Sequence, residues 1–457
     1  MPSSNEQRKP LIGVDGEVRE ITEDDLKFVR RGGPPIPDQE RKKRINFMLD
    51  PDVVEKLKTT GNMSDLRPLL TLYFLATFLQ AGTYGLTFLL PPLFESFGAN
   101  EKDVGTVLAS TTASTLIVVL SLGHITEQLG RVNTIVLASV LIAASLALFG
   151  QATQYGPMLF VAGLLLGAGW GLFYVLTPVV LAEITSKDDR VRAFTLLSVF
   201  IMAGFGLSPV LGAYLSKSQF GIASTFTLTA GLCLISGVIF MKLRKPIASL
   251  SISSVDNDHS GLDWTGIKVV IQSRALRPIV MVGIGASVFA AVTNFQTVYA
   301  SEHGLDYAQY FLAYTITVII CRVLFAEFVG GHAPYGVIAI LLAVMVISVV
   351  CFLFFTDSQI LYILGAVLFG IGYGVSYPIV KAMAANDANP AYMSQTLQLF
   401  GLSYFIGVFG FPFVAGWIIT TTGIATLLTV AAVLSVIESV LAARRYQQDS
   451  QDSRLTH

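Results

Sequence analysis

Two basic residues stand inside long apolar stretches of this 457-residue chain, where a charge is costly. Arg322 lies about 12 Å inside the predicted end of its stretch, counting about eight residues at about 1.5 Å each. An unpaired charge at that depth costs at least about 2.5 kcal/mol. Arg322 is therefore expected either to pair with Glu327 or a helix end, or to bind a carboxylate, which suits a planar guanidinium. Lys381 lies nearer a predicted helix end and either snorkels to the surface or contributes to the same site.

Three side-chain amides also lie in apolar stretches, at Gln80, Asn294 and Gln296. An amide that has no hydrogen-bond partner in hydrocarbon is costly, so all three are expected to face the protein interior or a wet cavity. They act there either as hydrogen-bonding groups between helices or as contacts to a bound solute. The sequence leaves both interpretations open.

The sequence repeats itself with an offset of 203 residues. The stretch GLLLGAGWGLFYVLTP, residues 163–178, has a second copy in which Tyr174 falls on Tyr377. The same offset places Pro209 on Pro412. The chain is therefore predicted to contain two copies of one unit with a seam between them.

Small residues recur at helical spacing in this repeat. Gly163, Gly167 and Gly171 follow one another every four residues and so lie on one face of a helix. Such faces let two backbones approach closely in lipid. The predicted helix-packing residues are Gly163, Gly167, Gly171, Gly206, Pro209, Gly370, Gly374 and Pro412.

The composition is typical of a membrane protein. Hydrophobic residues make up 53% of the chain, charged residues 13%, and the mean hydropathy is +0.65, whereas about 25% of a soluble protein is charged. The sequence has no nucleophile–base spacing, metal-ligand cluster or phosphate-binding loop, and its three cysteines lack ligand spacing. We therefore predict that the chain is not an enzyme and needs no cofactor or metal.

Twelve apolar stretches are each long enough to cross a hydrocarbon core of about 30 Å as a helix of about 20 residues. They predict an all-α integral membrane protein whose twelve transmembrane helices form two pseudo-symmetric six-helix bundles. The predicted spans cover approximately residues 68–94, 103–124, 133–152, 157–182, 192–215, 221–243, 278–300, 306–330, 334–356, 359–385, 394–419 and 423–443.

Basic residues predict the side of the membrane on which each loop lies. The loops on one side hold only Lys102 and Lys217, whereas Lys and Arg are concentrated on the side of both termini. Both termini are therefore predicted to be cytoplasmic, in a cell inner membrane. The predicted domains are a tail over 1–66, a bundle over 67–245, a central loop over 246–277 with an amphipathic helix at the membrane surface, a bundle over 278–445 and a tail over 446–457.

Together these features resemble the major facilitator superfamily over about residues 67–445. The loop GHITEQLGR, residues 123–131, is similar to the family's G-x-x-x-D-R-x-G-R signature, with Glu and Gln replacing Asp and the first Arg. The resemblance implies that Glu127 and Arg131 latch helix ends on the cytoplasmic side, with Gly123 and Gly130 shaping the loop. In span five, GFGLSPVLG, residues 204–212, is similar to the G-x-x-x-G-P-x-x-G signature of antiporter-type exporters.

The resemblance further implies that spans one, four, seven and ten line a central cavity. Tyr174 and Tyr377 are the strongest aromatic candidates because they occupy matching positions in the two copies. For each aromatic residue, packing in the core is the alternative interpretation. The substrate-binding candidates are Gln80, Tyr84, Trp170, Tyr174, Asn294, Gln296, Arg322, Tyr373, Tyr377 and Lys381.

The chain departs from the family where protons are usually carried. Span one has no carboxylate near its middle, and Gly163 stands where many proton-coupled drug exporters have an arginine. Glu183, Glu327 and Glu438 each fall within about two turns of a predicted cytoplasmic helix end. The second copy of the loop signature is reduced to EFVGGH, residues 327–332. A coupling proton or ion is therefore possible, and the sequence does not identify one.

The first 66 residues contain ITEDDL, RRGGPP and RINFMLDPDVVEKLKTTG, which resemble the start of BrnA-type ribbon-helix-helix antitoxins. The resemblance implies a strand that pairs with a second copy and presents Arg44, Asn46 and Met48 to DNA. The second helix of that fold is missing because the first span begins at Pro68. The alternative is a solvated tail whose basic residues at 41–44 lie near anionic headgroups, and no nucleic-acid partner is expected.

The sequence thus predicts a secondary transporter that moves a small organic solute by rocking two halves around a central site. Export of a neutral or anionic metabolite is the leading hypothesis. One alternative is uptake or exchange of a small organic anion held by Arg322, and another is a membrane-anchored sensor that uses the N-terminal tail. The expected partners are the lipid bilayer, a small-molecule substrate and a coupling proton or ion, with the chain acting as a monomer.

Overall fold

The computed structural model describes residues 67–185, 190–250, 264–325, 334–354 and 358–455. All of them belong to one unit, Thr60–His457. The N-terminal tail and its ribbon-helix-helix resemblance lie outside the described residues, as do Glu327, the reduced loop signature and residues 251–263 of the central loop. The predicted domain boundaries stay predictions.

Twelve helices within the described ranges are long and apolar enough to span a membrane, as the sequence predicts. We number them α1 to α12. The first six are α1 Arg67–Glu95, α2 Glu101–Leu120, α3 Arg131–Gln151, α4 Pro157–Ile184, α5 Arg192–Ser216 and α6 Ala223–Leu250. The last six are α7 Leu276–Asn294, α8 Tyr307–Leu324, α9 Pro334–Phe354, α10 Gln359–Asn386, α11 Met393–Thr422 and α12 Ile424–Gln448.

Within the described ranges, three shorter α-helices accompany the spans. Leu122–Leu129 connects α2 to α3, and Trp264–Gln272 lies where the sequence predicts an amphipathic helix in the central loop. Gln296–Glu302 follows α7 after a break at Phe295, so the predicted seventh span is two helices. This break places polar residues at a helix junction instead of inside a continuous helix.

Prolines account for the irregular turns within two spans. In α1 a 3₁₀ turn, Leu86–Leu89, precedes Pro91, and in α11 a π turn, Ile406–Gly410, precedes Pro412. A proline has no N–H to donate and clashes with the carbonyl four residues earlier, which in both helices belongs to the irregular turn. Each irregular turn lies at the level of the central aromatic residues described below.

The helices pack in two sets of six that repeat the same pairings. In the first set, α3 packs on α4 and α6, α2 packs on α4, and α1 packs on α5 and α6. In the second set the equivalent pairs recur six helices later: α9 with α10 and α12, α8 with α10, and α7 with α11 and α12. Between the sets, α2 packs on α11 and α5 packs on α8. We call this boundary between the two halves the seam.

Glycines allow the closest packing within each half. Gly163, Gly167 and Gly171 face α2, and a Cβ added to either of the first two would overlap a backbone carbonyl of that helix. In the second half, Gly370 and Gly374 face α8 in the same way. These contacts match the predicted packing face and its repeat.

Small residues also bring the two halves together at the seam. Gly206 on α5 lies directly against Thr315 on α8, and a Cβ added to Gly105 on α2 would overlap the carbonyl oxygen of Pro412 on α11. Pro209 is buried in α5 and does not end the helix. The seam is therefore closed along both the α2–α11 and the α5–α8 contacts.

Candidate functional site at the seam

Two tyrosines join the halves at matching positions of the repeat. Tyr174 Oη on α4 and Tyr377 Oη on α10 lie 2.9 Å apart, within hydrogen-bond distance, and are separated by 203 residues in sequence. The Tyr174 ring stacks on Tyr404 of α11, with ring centroids 5.6 Å apart and an interplanar angle of 12°. Sequence analysis found the pair through the repeat but missed Tyr404, because α11 is not one of the spans that the resemblance assigns to the cavity.

A second aromatic group fills the first-half side of the seam. Tyr84 stacks on Trp170 with ring centroids 5.1 Å apart, and Phe205 and Phe409 approach Tyr84 to 4.5 Å and 5.7 Å. Tyr84 and Trp170 are each 1% exposed. Among the described residues, neither Tyr84 Oη nor Trp170 Nε1 has a hydrogen-bond partner. Two buried donors are thus held unengaged between aromatic rings.

Tyr373 belongs to the aromatic packing on the second-half side. Its ring stacks on Phe289 of α7 with centroids 4.7 Å apart and an interplanar angle of 14°. Phe289 in turn contacts Phe88 of α1 across the seam, with centroids 6.1 Å apart. The rings on both sides therefore form one continuous layer.

Arg322 reaches across the seam from α8. Its Nε donates a hydrogen bond to the carbonyl oxygen of Gly374 at 3.1 Å, and a terminal N–H donates to Ser198 Oγ on α5 of the other half. Among the described residues Arg322 has no carboxylate within ion-pair distance, while its predicted partner Glu327 lies outside them. The half-buried guanidinium is therefore held by neutral groups.

Lys381 lies on α10, four residues after Tyr377, and its side chain is exposed. It is thus about one helical turn from the tyrosine bridge, towards the end of α10. The structure places both sequence-predicted cations in the second half of the chain, on the neighbouring helices α8 and α10.

Gln80 lies inside the first half and not at the seam. Its Oε1 accepts hydrogen bonds from Ser139 on α3 at 2.8 Å and from Ser236 on α6 at 3.1 Å, and the residue is fully buried. The side chain therefore ties α1 to α3 and α6. This geometry supports the interhelical alternative, and a contact between Gln80 and a solute stays a prediction.

The other two amides lie near the break after α7. Asn294 Oδ1 accepts a hydrogen bond at 3.4 Å from Thr87 Oγ1 on α1, and Asn294 Nδ2 donates to the carbonyl oxygen of Ala290 at 3.2 Å. Gln296 begins the next short helix and is 2% exposed. Asn294 thus forms a polar contact between the halves, in addition to the aromatic ones.

The predicted cytoplasmic latch contains an ion pair between two helix ends. Arg131 at the start of α3 forms an ion pair with Glu183 at the end of α4, whereas Glu127 is exposed. Gly130 has a φ of +79°, which a glycine adopts at low cost, and turns the chain into α3. Gly123 has open space around its Cα. Arg131 therefore joins two helix ends through Glu183, Gly130 positions this arginine, and a latching role for Glu127 stays a prediction.

The second half has a comparable polar cluster that sequence analysis missed. Arg445 on α12 lies 3.3 Å from Asp387 Oδ1 at the end of α10, and Tyr335 Oη on α9 donates to Asp387 Oδ2 at 2.8 Å. The Arg445 guanidinium also lies 5.4 Å from the Tyr335 ring centroid. Here the cation comes from α12 and not from the loop before α9, where the signature is reduced.

The seam offers binding chemistry: aromatic rings, two unengaged donors and a guanidinium without a carboxylate partner in the described part of the chain. In those same ranges no group of three or more His, Cys, Asp and Glu is placed to hold a metal ion. Twelve spans in two repeated halves, with polar groups at the seam, define a membrane transporter.

The comparisons with known proteins agree with this class. The family model of the Major Facilitator Superfamily matches residues 72–412. The chain belongs to this family and is a multi-pass membrane transporter of a small molecule, not an enzyme.

Relatives and solved structures share low identity with the chain. An uncharacterized MFS-type transporter of Methanocaldococcus jannaschii is 20% identical over 361 residues, which are 78% of this chain and 92% of the relative. Dipeptide and tripeptide permease B of Salmonella typhimurium is 23% identical over 216 residues, 46% of this chain and 43% of the permease. The nucleoside transporter NupG and the human organic anion transporter MFSD10 have TM-scores of 0.66 and 0.61 at 15% and 16% identity, and both cover 82% of this chain and 99% of their own. These two structures show the fold alone.

Proposed function

We propose that this transporter exports a small organic anion by alternating access of its two halves. The observation that carries the proposal is the Arg322 guanidinium, which crosses the seam and meets neutral groups, Gly374 and Ser198, without a carboxylate partner among the described residues. A half-buried cation held in this way favours an anionic partner, because the charge is only partly compensated by neutral acceptors.

The guanidinium retains donors for a substrate. It has five N–H groups in a planar fork, and the two hydrogen bonds to the protein engage two of them. A carboxylate or phosphate accepts two parallel hydrogen bonds from such a fork. Lys381 adds a second positive charge on the adjacent helix, which favours an anion further.

The aromatic layer provides the apolar part of the proposed site. A solute that enters the seam parts the Tyr174–Tyr377 hydroxyl pair and packs between rings that now contact one another. Tyr84 Oη and Trp170 Nε1 then gain the hydrogen-bond partner that they lack among the described residues. An organic anion with a planar or apolar body and at least one polar substituent fits this combination.

The direction of transport is proposed from sequence. The stretch over 204–212 is similar to the signature of antiporter-type exporters, and the distribution of Lys and Arg favours cytoplasmic termini in a cell inner membrane. The chain is proposed to work as a monomer, since each half supplies one side of the seam. The human organic anion transporter has the same fold at 16% identity, so the anion proposal depends on Arg322 and Lys381 and not on that likeness.

The test compares metabolites in the medium and inside cells that express the intact chain, Arg322→Ala, or Arg322→Lys. Arg192→Ala is the matched control, because this exposed arginine lies at the start of α5, about 9 Å along the helix from Ser198. Membrane-inserted protein is quantified for each variant. We expect an anionic metabolite to accumulate outside cells with the intact chain and the control, to be lost with Arg322→Ala, and to be partly restored with Arg322→Lys because the charge is kept without the bidentate fork.

Other outcomes contradict specific parts of the proposal. Depletion of a medium component with accumulation inside the cells would establish uptake. Export of a neutral or cationic solute that is insensitive to Arg322→Ala would refute the anion site. If no solute differs, and deletion of residues 1–60 abolishes the cellular phenotype of the intact chain, the sensor hypothesis replaces the carrier.

A further inference from the structure

Glu438 is a carboxyl group buried in the second half. It lies on α12 and is 3% exposed. It shares one buried stripe of that helix with Ala431, Ser435 and Ala442, so the side chain points into the bundle and away from lipid. Its Oε2 has no hydrogen-bond partner among the described residues. The sequence marks Glu438 as an acid near a helix end and does not show what surrounds it.

The surrounding backbone leaves room for this carboxyl. Gly285 on α7 lies opposite, and a Cβ added there would be 2.8 Å from Oε1 and 3.0 Å from Oε2 of Glu438. Beside the carboxyl is a cavity of about 10 Å³, enough for about one water molecule. Its lining consists of Val282, Gly285, Tyr373, Ser376, Tyr377, Val380 and Glu438.

No cation faces the carboxyl within the described part of the chain. The cavity residues from α7 are apolar, and α10 contributes the phenols Tyr373 and Tyr377. On α9 the titratable residues are Tyr335 and Cys351. Tyr335 donates a hydrogen bond to Asp387. Cys351 lies about 18 Å along the helix from Ala339, whose carbonyl oxygen accepts a hydrogen bond from Ser439, the residue after Glu438.

Two neighbouring elements remain. The part of α11 that packs on α12, Phe411–Thr422, carries no titratable side chain. Arg445, two turns further along α12, is engaged by Asp387. An ionised carboxylate in this position would lack bulk water and a counter-charge from the described residues, so the neutral, protonated form fits the structure.

The cavity is connected to the hydroxyl pair at the seam through Tyr377. The Tyr377 side chain lines it, and the Tyr377 hydroxyl is paired with Tyr174 of the other half. When the halves separate and Tyr377 moves, the wall of the cavity is lost and water reaches the carboxyl. The Glu438 O–H bond then breaks, the proton passes to water and the carboxylate remains.

We propose that Glu438 is the proton-binding site that couples this transporter to a proton gradient, keeping its proton while the seam is closed and exchanging it with water when the seam opens. The inference deepens the proposed function, because it names the coupling ion of the same transport cycle. By linkage, protonation stabilises the closed arrangement and ionisation stabilises the open one. Lowering the pH therefore favours the closed arrangement.

Infrared spectroscopy of the purified full-length protein tests the protonation directly. We expect a carboxylic C=O band that shifts in deuterium oxide, disappears as the pH rises and is absent in Glu438→Gln. Glu302→Gln, at an exposed position after α7, is the matched control and should keep the band. The proposal is overturned if, at every pH, the wild-type protein shows no carboxylic C=O band that is missing from Glu438→Gln.

A conformational measurement tests the coupling. Spin labels at Gln128 and Met393, exposed residues on opposite halves, are introduced in a background without the three native cysteines. In the labelled chain that keeps Glu438, we expect the distance distribution to shift towards the closed arrangement as the pH falls. In Glu438→Gln, we expect the distances to stay those of the closed arrangement at every pH. A Glu438→Gln protein that keeps the full pH dependence would contradict the coupling, even if the infrared band is present.

Arg322→Ala separates this inference from the anion proposal. If the proton site is correct, Arg322→Ala keeps both the infrared band and the pH-dependent distances, whatever happens to export. If the metabolite experiment fails while Glu438 titrates, the substrate proposal is wrong and the proton site stands. If export depends on Arg322 but no band is found, the proton site is wrong and the substrate proposal stands.

Discussion

Tyr174 Oη and Tyr377 Oη, which are equivalent positions of the internal repeat, lie 2.9 Å apart and bridge the two halves of the transporter. A contact between a residue and its own repeat copy lies close to the axis that relates the halves. A movement that separates the halves at this level breaks it, so this pair reports that step of the transport cycle.

Removing one hydroxyl should shift the balance between the closed and open arrangements. A net hydrogen bond is worth about 1 kcal/mol, so Tyr174→Phe should lower the closed-to-open ratio about fivefold, and Tyr377→Phe should do the same. The label pair at Gln128 and Met393 measures this ratio. Tyr155→Phe, in the exposed loop before α4, is the control and should leave it unchanged. Equal distance distributions for all three variants would show that the bridge is not part of the closed state in solution.

A larger side chain at Gly105 should prevent the halves from closing at the α2–α11 contact. Gly105→Leu places atoms where the Pro412 carbonyl lies, and overpacking of this kind costs about 1–3 kcal/mol. The closed population should fall by about one order of magnitude or more in the same distance measurement. Gly231→Leu is the matched control, because Gly231 is an exposed helical glycine of α6 with open space around it. A closed population that survives Gly105→Leu would mean that this contact does not limit closure.

Breaking the Arg445–Asp387 pair should lower the stability more than replacing the adjacent exposed Arg444 does. Arg445→Leu leaves the Asp387 carboxylate, whose side chain is 12% exposed, with Tyr335 as its partner in the cluster. Removing one partner of a buried ion pair costs roughly 3 kcal/mol of stability. Thermal unfolding in detergent will detect a loss of this size. Arg444→Leu, at the adjacent exposed position, should change stability by less than about 0.5 kcal/mol. The double variant Arg445→Leu/Asp387→Asn should recover part of the loss, and its failure to do so would argue against charge pairing as the cause.

Gln80→Leu should distinguish a structural amide from a substrate contact. The variant removes the acceptor shared by Ser139 and Ser236, but both hydroxyls keep a backbone acceptor, the carbonyl oxygens of Ile135 and Ala76. The expected loss is therefore about 1–2 kcal/mol of stability, with the substrate KM unchanged once the exported solute is known. A raised KM with normal stability would return Gln80 to the binding site.

The sequence by itself determined the membrane class, the twelve spans and the two-fold repeat. Each of these follows from chemistry that is local to a helix: a hydrocarbon core requires about 20 apolar residues in succession, and a repeat is visible wherever residues such as Tyr174 and Tyr377 keep their types. The glycine faces were predictable for the same reason, since Gly163, Gly167 and Gly171 share a face through helical spacing alone.

Only the tertiary structure decided which polar groups meet. Spacing along one helix does not specify the rotation of that helix against its neighbours, so the sequence left open whether Gln80 bonds to other helices or contacts a solute. The packing of α3 and α6 engages it inside one half. The sequence did not specify the partner of Arg131 for a related reason: Glu183 is distant in sequence but near in space. Glu438 faces a cavity because α7 offers a glycine at its level, and such a meeting of three helices leaves no pattern in any one of them.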